Sequence, residues 1–450
     1  MLRDILLVLV VFAALPVGAQ EAAGDTSAVY ETKHYAVLEL PQKLWSVLVY
    51  PLGQFTIYAE DTELPKRMRN WFTNEDHTFG LFPYVQLGGE TGSGMGASTY
   101  HTNLFGRGKE FNAVYAFAAA ERQTGSALYY DPNVSGGPLY FSAEAAYLKT
   151  DNRKATINGA VLRDTSSLFT IERIDALATL GWRPNADELE DYRNNIYIEG
   201  RVGLGVRDFG GVFGPAALGG TSSAELFPGL GEEISLFSVG GRIAYDDRDY
   251  KEPRREISHP LNYVFPGRVL LLANDFYYSF RDITYPERGG LLQAEVDFVT
   301  GSEEARFLRL GLEAQRFFTL FFRNRILGLR ARLDKAHALG DDGIVPYPDQ
   351  AILGGSQRLR GYKRGVFRGE GALLLSAEYR YPIWDTWNAY LFWDEGQIFD
   401  KYDQIEVGRF RTSFGGGVSL RTEQAFLIGF RIGHSKEQKA LVGFSLEQEF

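Results

Sequence analysis

Four stretches of this chain alternate between apolar side chains and others that are, Leu427 apart, polar or small. In 291–298, Leu292, Ala294, Val296 and Phe298 alternate with Gln293, Glu295 and Asp297. In 309–315, Leu310, Leu312 and Ala314 alternate with Gly311, Glu313 and Gln315. In 326–333, Leu327, Leu329, Ala331 and Leu333 alternate with Gly328, Arg330 and Arg332. In 426–433, Phe426, Ile428, Phe430 and Ile432 alternate with Leu427, Gly429, Arg431 and Gly433. A period of two is the period of a strand, and it puts every apolar member on one face. Segments of this kind run about 10 residues or more, the length a tilted strand needs to cross a bilayer. Their other face is small or charged, which suits the lumen of a transmembrane barrel. A large soluble β-sandwich would also alternate. It does not account for so many long strands with one wholly apolar face.

The N-terminus agrees with export. Residues 1–19 hold Arg3, an apolar run from Ile5 to Leu15, and Val17-Gly18-Ala19 as a small-residue cleavage site, the layout of a signal peptide cut after Ala19. No later segment has eighteen consecutive apolar residues, so no helix is expected to span a membrane. An exported soluble protein or an outer-membrane barrel remains, and the alternation favours the barrel. A content of 50 Gly, 25 Tyr and 32 Phe suits strands joined by many turns. The net charge of −10 argues against nucleic acid as a partner. With no cysteine there is no disulfide framework, no thiolate metal site and no thiol nucleophile.

The chain reads as all-β, a sixteen-stranded antiparallel transmembrane barrel over 79–450. The strands are expected at 79–91, 94–104, 110–122, 138–149, 153–163, 167–182, 194–207, 233–246, 290–300, 305–319, 324–334, 371–382, 387–399, 411–421, 424–434 and 440–450. An even number puts both ends of the barrel on the periplasmic side. Short links at 385–387 and 422–424 then lie at the periplasm, and long links at 207–232 and 335–370 lie outside. Residues 247–289 read as an insertion at the periplasmic rim, and 20–78 as a periplasmic N-terminal extension.

The longest external link contains "GGSQRLRGYKRG", residues 354–365, where Arg358, Arg360, Lys363 and Arg364 stand without an acid. Its tip reads Leu359-Arg360-Gly361-Tyr362, after the glycine pair Gly354-Gly355. The strand at 371–382 follows, and then "LFWDEG" with Phe392, Asp394 and Gly396. "AYDDRDY" (244–250) and "YPERGG" (285–290) look like two halves of an Asp-x-Arg and Pro-x-x-Gly turn, split by the insertion. In this order the set resembles the BamA/TamA-type outer-membrane assembly family, the bacterial surface antigen family, over roughly 79–450. The resemblance implies an outer-membrane location and a sixth extracellular loop folded back into the barrel. It also implies a role in inserting or exporting proteins, with outer-membrane lipids and client proteins as partners. Residues 20–78 offer a contact for a periplasmic partner, but leave no room for one of the family's periplasmic repeats of about seventy-five residues. This chain is therefore expected to be a barrel-only member.

Parity assigns the charges. On the strand at 387–399, Leu391 and Trp393 face lipid, so Phe392 and Asp394 face the lumen. On 371–382, Leu375, Ala377 and Tyr379 face lipid, so Glu378 and Arg380 face the lumen. A loop that enters the lumen brings Arg360 to Asp394 for a bidentate pair, with Gly361 allowing a sharp turn. Lys363, Arg364 and Arg368 are expected to follow toward Glu295, Asp297, Glu313, Glu378, Glu447 and Glu449. The alternative is an ordinary exposed basic loop. "GETGSGMG" (89–96) lacks the Lys-Ser/Thr ending of a phosphate loop and reads as a glycine hairpin. The six histidines show no HExxH and no close pair, so neither a metal, a cofactor nor an enzyme is expected.

The last stretch puts Ala440, Val442, Phe444, Leu446, Gln448 and Phe450 on the lipid face, and a terminal Phe450 resembles the sorting signal of barrels. Gly443 weakens the last strand, so a seam against the first is expected to template client strands. A passive or substrate-selective pore, or a structural anchor for a periplasmic partner, are the competing readings.

Overall fold

The computed structural model describes residues 70–445, apart from internal stretches of which 185–194, 213–226 and 249–285 are the longest. The signal peptide, residues 20–69, most of the insertion, Glu447, Glu449 and Phe450 lie outside the described residues. One antiparallel sheet of sixteen strands dominates. Its members are β1 (Phe79–Gln86), β2 (Gly94–Leu104), β3 (Lys109–Ala118), β4 (Arg122–Asp131), β5 (Leu139–Lys154), β6 (Leu168–Trp182), β7 (Asn195–Val212) and β8 (Glu233–Asp246). They continue with β9 (Gly289–Gly301), β10 (Arg306–Thr319), β11 (Ile326–Ala338), β12 (Gly371–Pro382), β13 (Trp387–Phe399), β14 (Arg411–Arg421), β15 (Leu427–Ser435) and β16 (Leu441–Ser445). Each pairs with its sequence neighbours, and no register joins β1 to β16 among the described residues.

The number sixteen stands, but two of its members differ from the sequence reading. Residues 122–131 form β4, where a link was expected. The alternation is inverted there. Register puts Gln123, Gly125 and Ala127 beside the outward Phe117, Tyr115 and Ala113, while the inward Leu128 is buried. The Tyr115 ring covers Gly125, and its hydroxyl donates to Gln123 at 2.9 Å, so a neighbouring strand supplies the apolar cover. Conversely, the strand expected at 153–163 is no sheet member. β5 continues to Lys154, and Thr156–Ile157 then pairs with Ala160–Val161 as a small separate hairpin. Asn158-Gly159 between them is a strong hairpin signal that the alternation obscured.

One face of the sheet is apolar and exposed, with Leu81, Met95, Ile174, Val202, Phe237, Val296, Leu391, Trp393 and Ile432 all open. The opposite face carries buried charge. Asp349, in the link after β11, bridges well-separated strands across this face. Neighbouring strands lie ~4.8 Å apart, so β6 and β10 would stand about 19 Å apart on a flat sheet. Yet Arg173 on β6 and Arg309 on β10 both reach Asp349 Oδ1, at 3.6 and 3.0 Å. The two motif halves at the insertion also meet. Asp247 N–H donates to the Gly290 carbonyl at 2.9 Å, Gly290 N–H donates to Asp247 Oδ1 at 2.5 Å, and Arg248 grips Asp246.

Candidate functional site

The link between β11 and β12 crosses the charged face and is held there at two places. The first is its tip. Arg360 donates from Nε to Asp394 Oδ2 at 2.9 Å and from Nη2 to Oδ1 at 2.7 Å, a bidentate pair, and its backbone N–H reaches Oδ2 at 2.9 Å. Its remaining Nη1 donates to Glu378, whose other oxygen accepts from Arg380 Nε at 2.7 Å. The guanidinium carbon lies 4.1 Å from the Phe392 ring centroid, a cation–π contact beneath the pair. Register explains the convergence. Glu378 is opposite Phe392, Asp394 is two residues further along β13, and both strands present these positions to one face.

The rest of the tip is seated by packing. Leu359 is fully buried with Leu353, Tyr362, Phe367 and Leu374, and faces Gly396. The Tyr362 ring meets Phe367 edge-on at 4.9 Å, and its hydroxyl donates to Glu437. Arg358 pairs with Asp334 at 3.2 Å. Gly361 has a different role from the one expected. Left-handed backbone falls on Gly354, Gly355, Leu359 and Gly365, with φ of 96°, 116°, 76° and 64°, and not on Gly361. What Gly361 permits is close approach. A Cβ there would lie 2.6 Å from Ser413 Cβ and 2.7 Å from the His434 carbonyl, and one on Gly433 would lie 2.6 Å from the Arg360 carbonyl. Ser435 Oγ donates to the Gly361 carbonyl at 3.1 Å. The tip backbone thus lies directly on β14 and β15. Gly361→Ala is expected to loosen the tip by about 1–3 kcal/mol, the usual cost of overpacking, read as faster proteolysis within 354–365 with the sheet intact.

The second place was not anticipated. Tyr347–Asp349 form a buried 3₁₀ turn. Asp349 accepts from Arg207 at 2.9 and 3.1 Å and from Arg309 at 3.0 Å, with Arg173 at 3.6 Å. Asp175 accepts from Arg207 at 2.6 Å, and Arg173 donates to the Pro348 carbonyl at 2.9 Å. Tyr347 stacks on Phe209 at 5.1 Å and meets Phe227 edge-on at 5.2 Å. Burial pushes the Asp349 carboxyl upward, but Arg207, Arg173 and Arg309 outweigh it and hold it below the usual carboxylate range.

A family model described as the Omp85 superfamily domain matches residues 103–440. The chain belongs to the Omp85 superfamily. It is an outer-membrane β-barrel protein. The structure of BamA from Haemophilus ducreyi lacking POTRA domains 1–3 is similar in fold, with a TM-score of 0.54 and 12% identity over 82% of this chain and 69% of that one. CdiB from Escherichia coli matches with a TM-score of 0.49 and 12% identity, over 81% of this chain and 61% of its own. CdiB from Acinetobacter baumannii gives 0.46 and 12%, over 81% and 59%. No curated protein matches the sequence.

The acidic wall of this Omp85 barrel is mostly neutralised by its own strands. Glu295 and Asp297 face Arg201, and Glu313 accepts from Arg330 and Arg332, each at 2.7 Å. Of the acids named from sequence that lie among the described residues, Glu378 and Asp394 meet a loop cation. Lys363 is exposed, and Arg368 donates to the Tyr347 and Pro348 carbonyls at 2.8 and 3.1 Å, binding loop to loop. Gly443 lies on the inner side of β16, where a Cβ would come within 2.9 Å of the Arg431 guanidinium, so it makes room for that side chain. Among the described residues no group of His, Asp and Glu is arranged to hold a metal.

Proposed function

We propose that this protein inserts or exports proteins at the outer membrane through a seam between β1 and β16, without making or breaking covalent bonds. The observation that carries the reading is the pairing pattern. The described ladder runs from β1 to β16 and leaves these two without a described register to each other. A strand edge offers unpaired N–H and C=O groups, and a client strand can add to it by β-augmentation. Membership of the Omp85 superfamily supports client proteins and a periplasmic partner as the other players. The doubly held inner loop supports this reading over a passive pore, because it places Asp349 and Arg360, both almost wholly buried, across the charged face.

The test is reconstitution. Purified protein in phosphatidylcholine liposomes is offered a urea-unfolded outer-membrane barrel protein, and insertion is followed by protease protection. Insertion faster than into empty liposomes is expected. Solute leakage with no gain in insertion would establish a pore instead.

A further inference from the structure

The link between β13 and β14, residues 400–410, lies on the outward face of the wall. Parity fixes this. Leu391 and Trp393 point outward and are 54% and 53% exposed, and Gln397 and Phe399 share their face further along β13. Yet Phe399 is 2% exposed and the outward Leu333 and Leu373 are 5% and 7% exposed. Tyr402, Ile405 and Phe410 of the link cover them. Outward polar groups are served too. Gln397 Nε2 donates to the Gln404 carbonyl at 2.7 Å and its Oε1 accepts from the Glu406 N–H at 3.2 Å. Lys335 donates to Glu370 at 2.6 Å and to the Asp400 carbonyl at 2.7 Å.

In hydrocarbon the apolar trio would need no cover, and in bulk water the polar groups would need no partner. A cover that serves both belongs at the boundary between them. The link presents Val407 at its tip, 93% exposed, flanked by the exposed Glu406–Arg409 pair at 3.1 Å. An apolar tip between charged neighbours, set above the lipid-facing Trp393 and the outward Glu395–Thr412 pair at 2.8 Å, matches the headgroup–acyl boundary of a membrane.

We infer that residues 400–410 form a flap that docks onto the outer leaflet, with Val407 dipping among the lipids. The chain has no native cysteine, so a single one can be labelled cleanly. Val407→Cys carrying an environment-sensitive fluorophore is compared in phosphatidylcholine vesicles with Leu391→Cys in the lipid band and with Asp342→Cys, which is exposed in the sixth external link. Blue-shifted emission at 407 and iodide quenching several-fold below that at 342 are expected. Quenching at 407 equal to that at 342 would overturn the inference. So would protection that appears on whole cells but not in vesicles, which would assign the tip to a protein partner. Only folded, membrane-inserted protein is compared.

Discussion

Replacing Arg360 by alanine unseats the loop tip and leaves the sixteen-stranded sheet folded. The side chain is 2% exposed and Asp394 is 0% exposed, so the substitution strands Asp394 and half of Glu378's partnership in a dry place. Removing one member of such a buried pair costs about 3–5 kcal/mol. That cost falls on the loop, because the strand ladder does not depend on Arg360. Arg360→Lys is expected to restore little, since one ammonium cannot hold Asp394 bidentately, reach Glu378 and stack on Phe392 together. Asp394→Asn should resemble Arg360→Ala, and the double variant should be little worse than either. Limited proteolysis of 354–365 and a client-insertion assay read the cycle. Strictly additive effects would mean that the pair does not carry the seat.

Asp349→Asn is expected to have an effect of the same order at the other end of the loop. Three arginines from β6, β7 and β10 converge on that carboxylate, and a neutral amide removes the countercharge they share, leaving Asp175 to face Arg207 and Arg173. The penalty is about 3–5 kcal/mol. It should appear as proteolysis or hydrogen exchange at 339–350 with the tip still seated. Paired with Arg207→Gln, the effects should be far from additive. The pH dependence has a definite sign. The folded carboxyl is held below its usual value, so its contribution is fully present above about pH 4 and is lost as pH falls below the ordinary carboxylate range. Asp349→Asn should therefore flatten the acid-induced exposure of 339–350.

The two ends of the loop differ in how far the sequence reveals them. Arg360, Asp394 and Glu378 were legible because strand parity assigns each side chain to a face and a local motif marks the tip. Asp349 was not. Its arginines lie on three strands well separated in sequence, and parity says that they face inward but not that they converge. Convergence depends on the path of a loop, which no period encodes. The need for glycine at 361 was legible, but not its cause, because close approach to β14 and β15 is a tertiary fact. β4 escaped notice because Tyr115 of a neighbouring strand supplies the outward apolar cover that Gln123 and Gly125 lack.

The seam is tested most directly by closing it. Cysteine pairs placed between β1, Phe79–Gln86, and β16, Leu441–Ser445, in a chain with no native cysteine give cross-links whose yield is countable. The measurement is client insertion by the fully cross-linked protein, before and after reduction, with each single-cysteine variant as control. Loss of insertion on cross-linking and its return on reduction is the predicted result. Undiminished insertion by protein verified as fully cross-linked would contradict the opening of that seam.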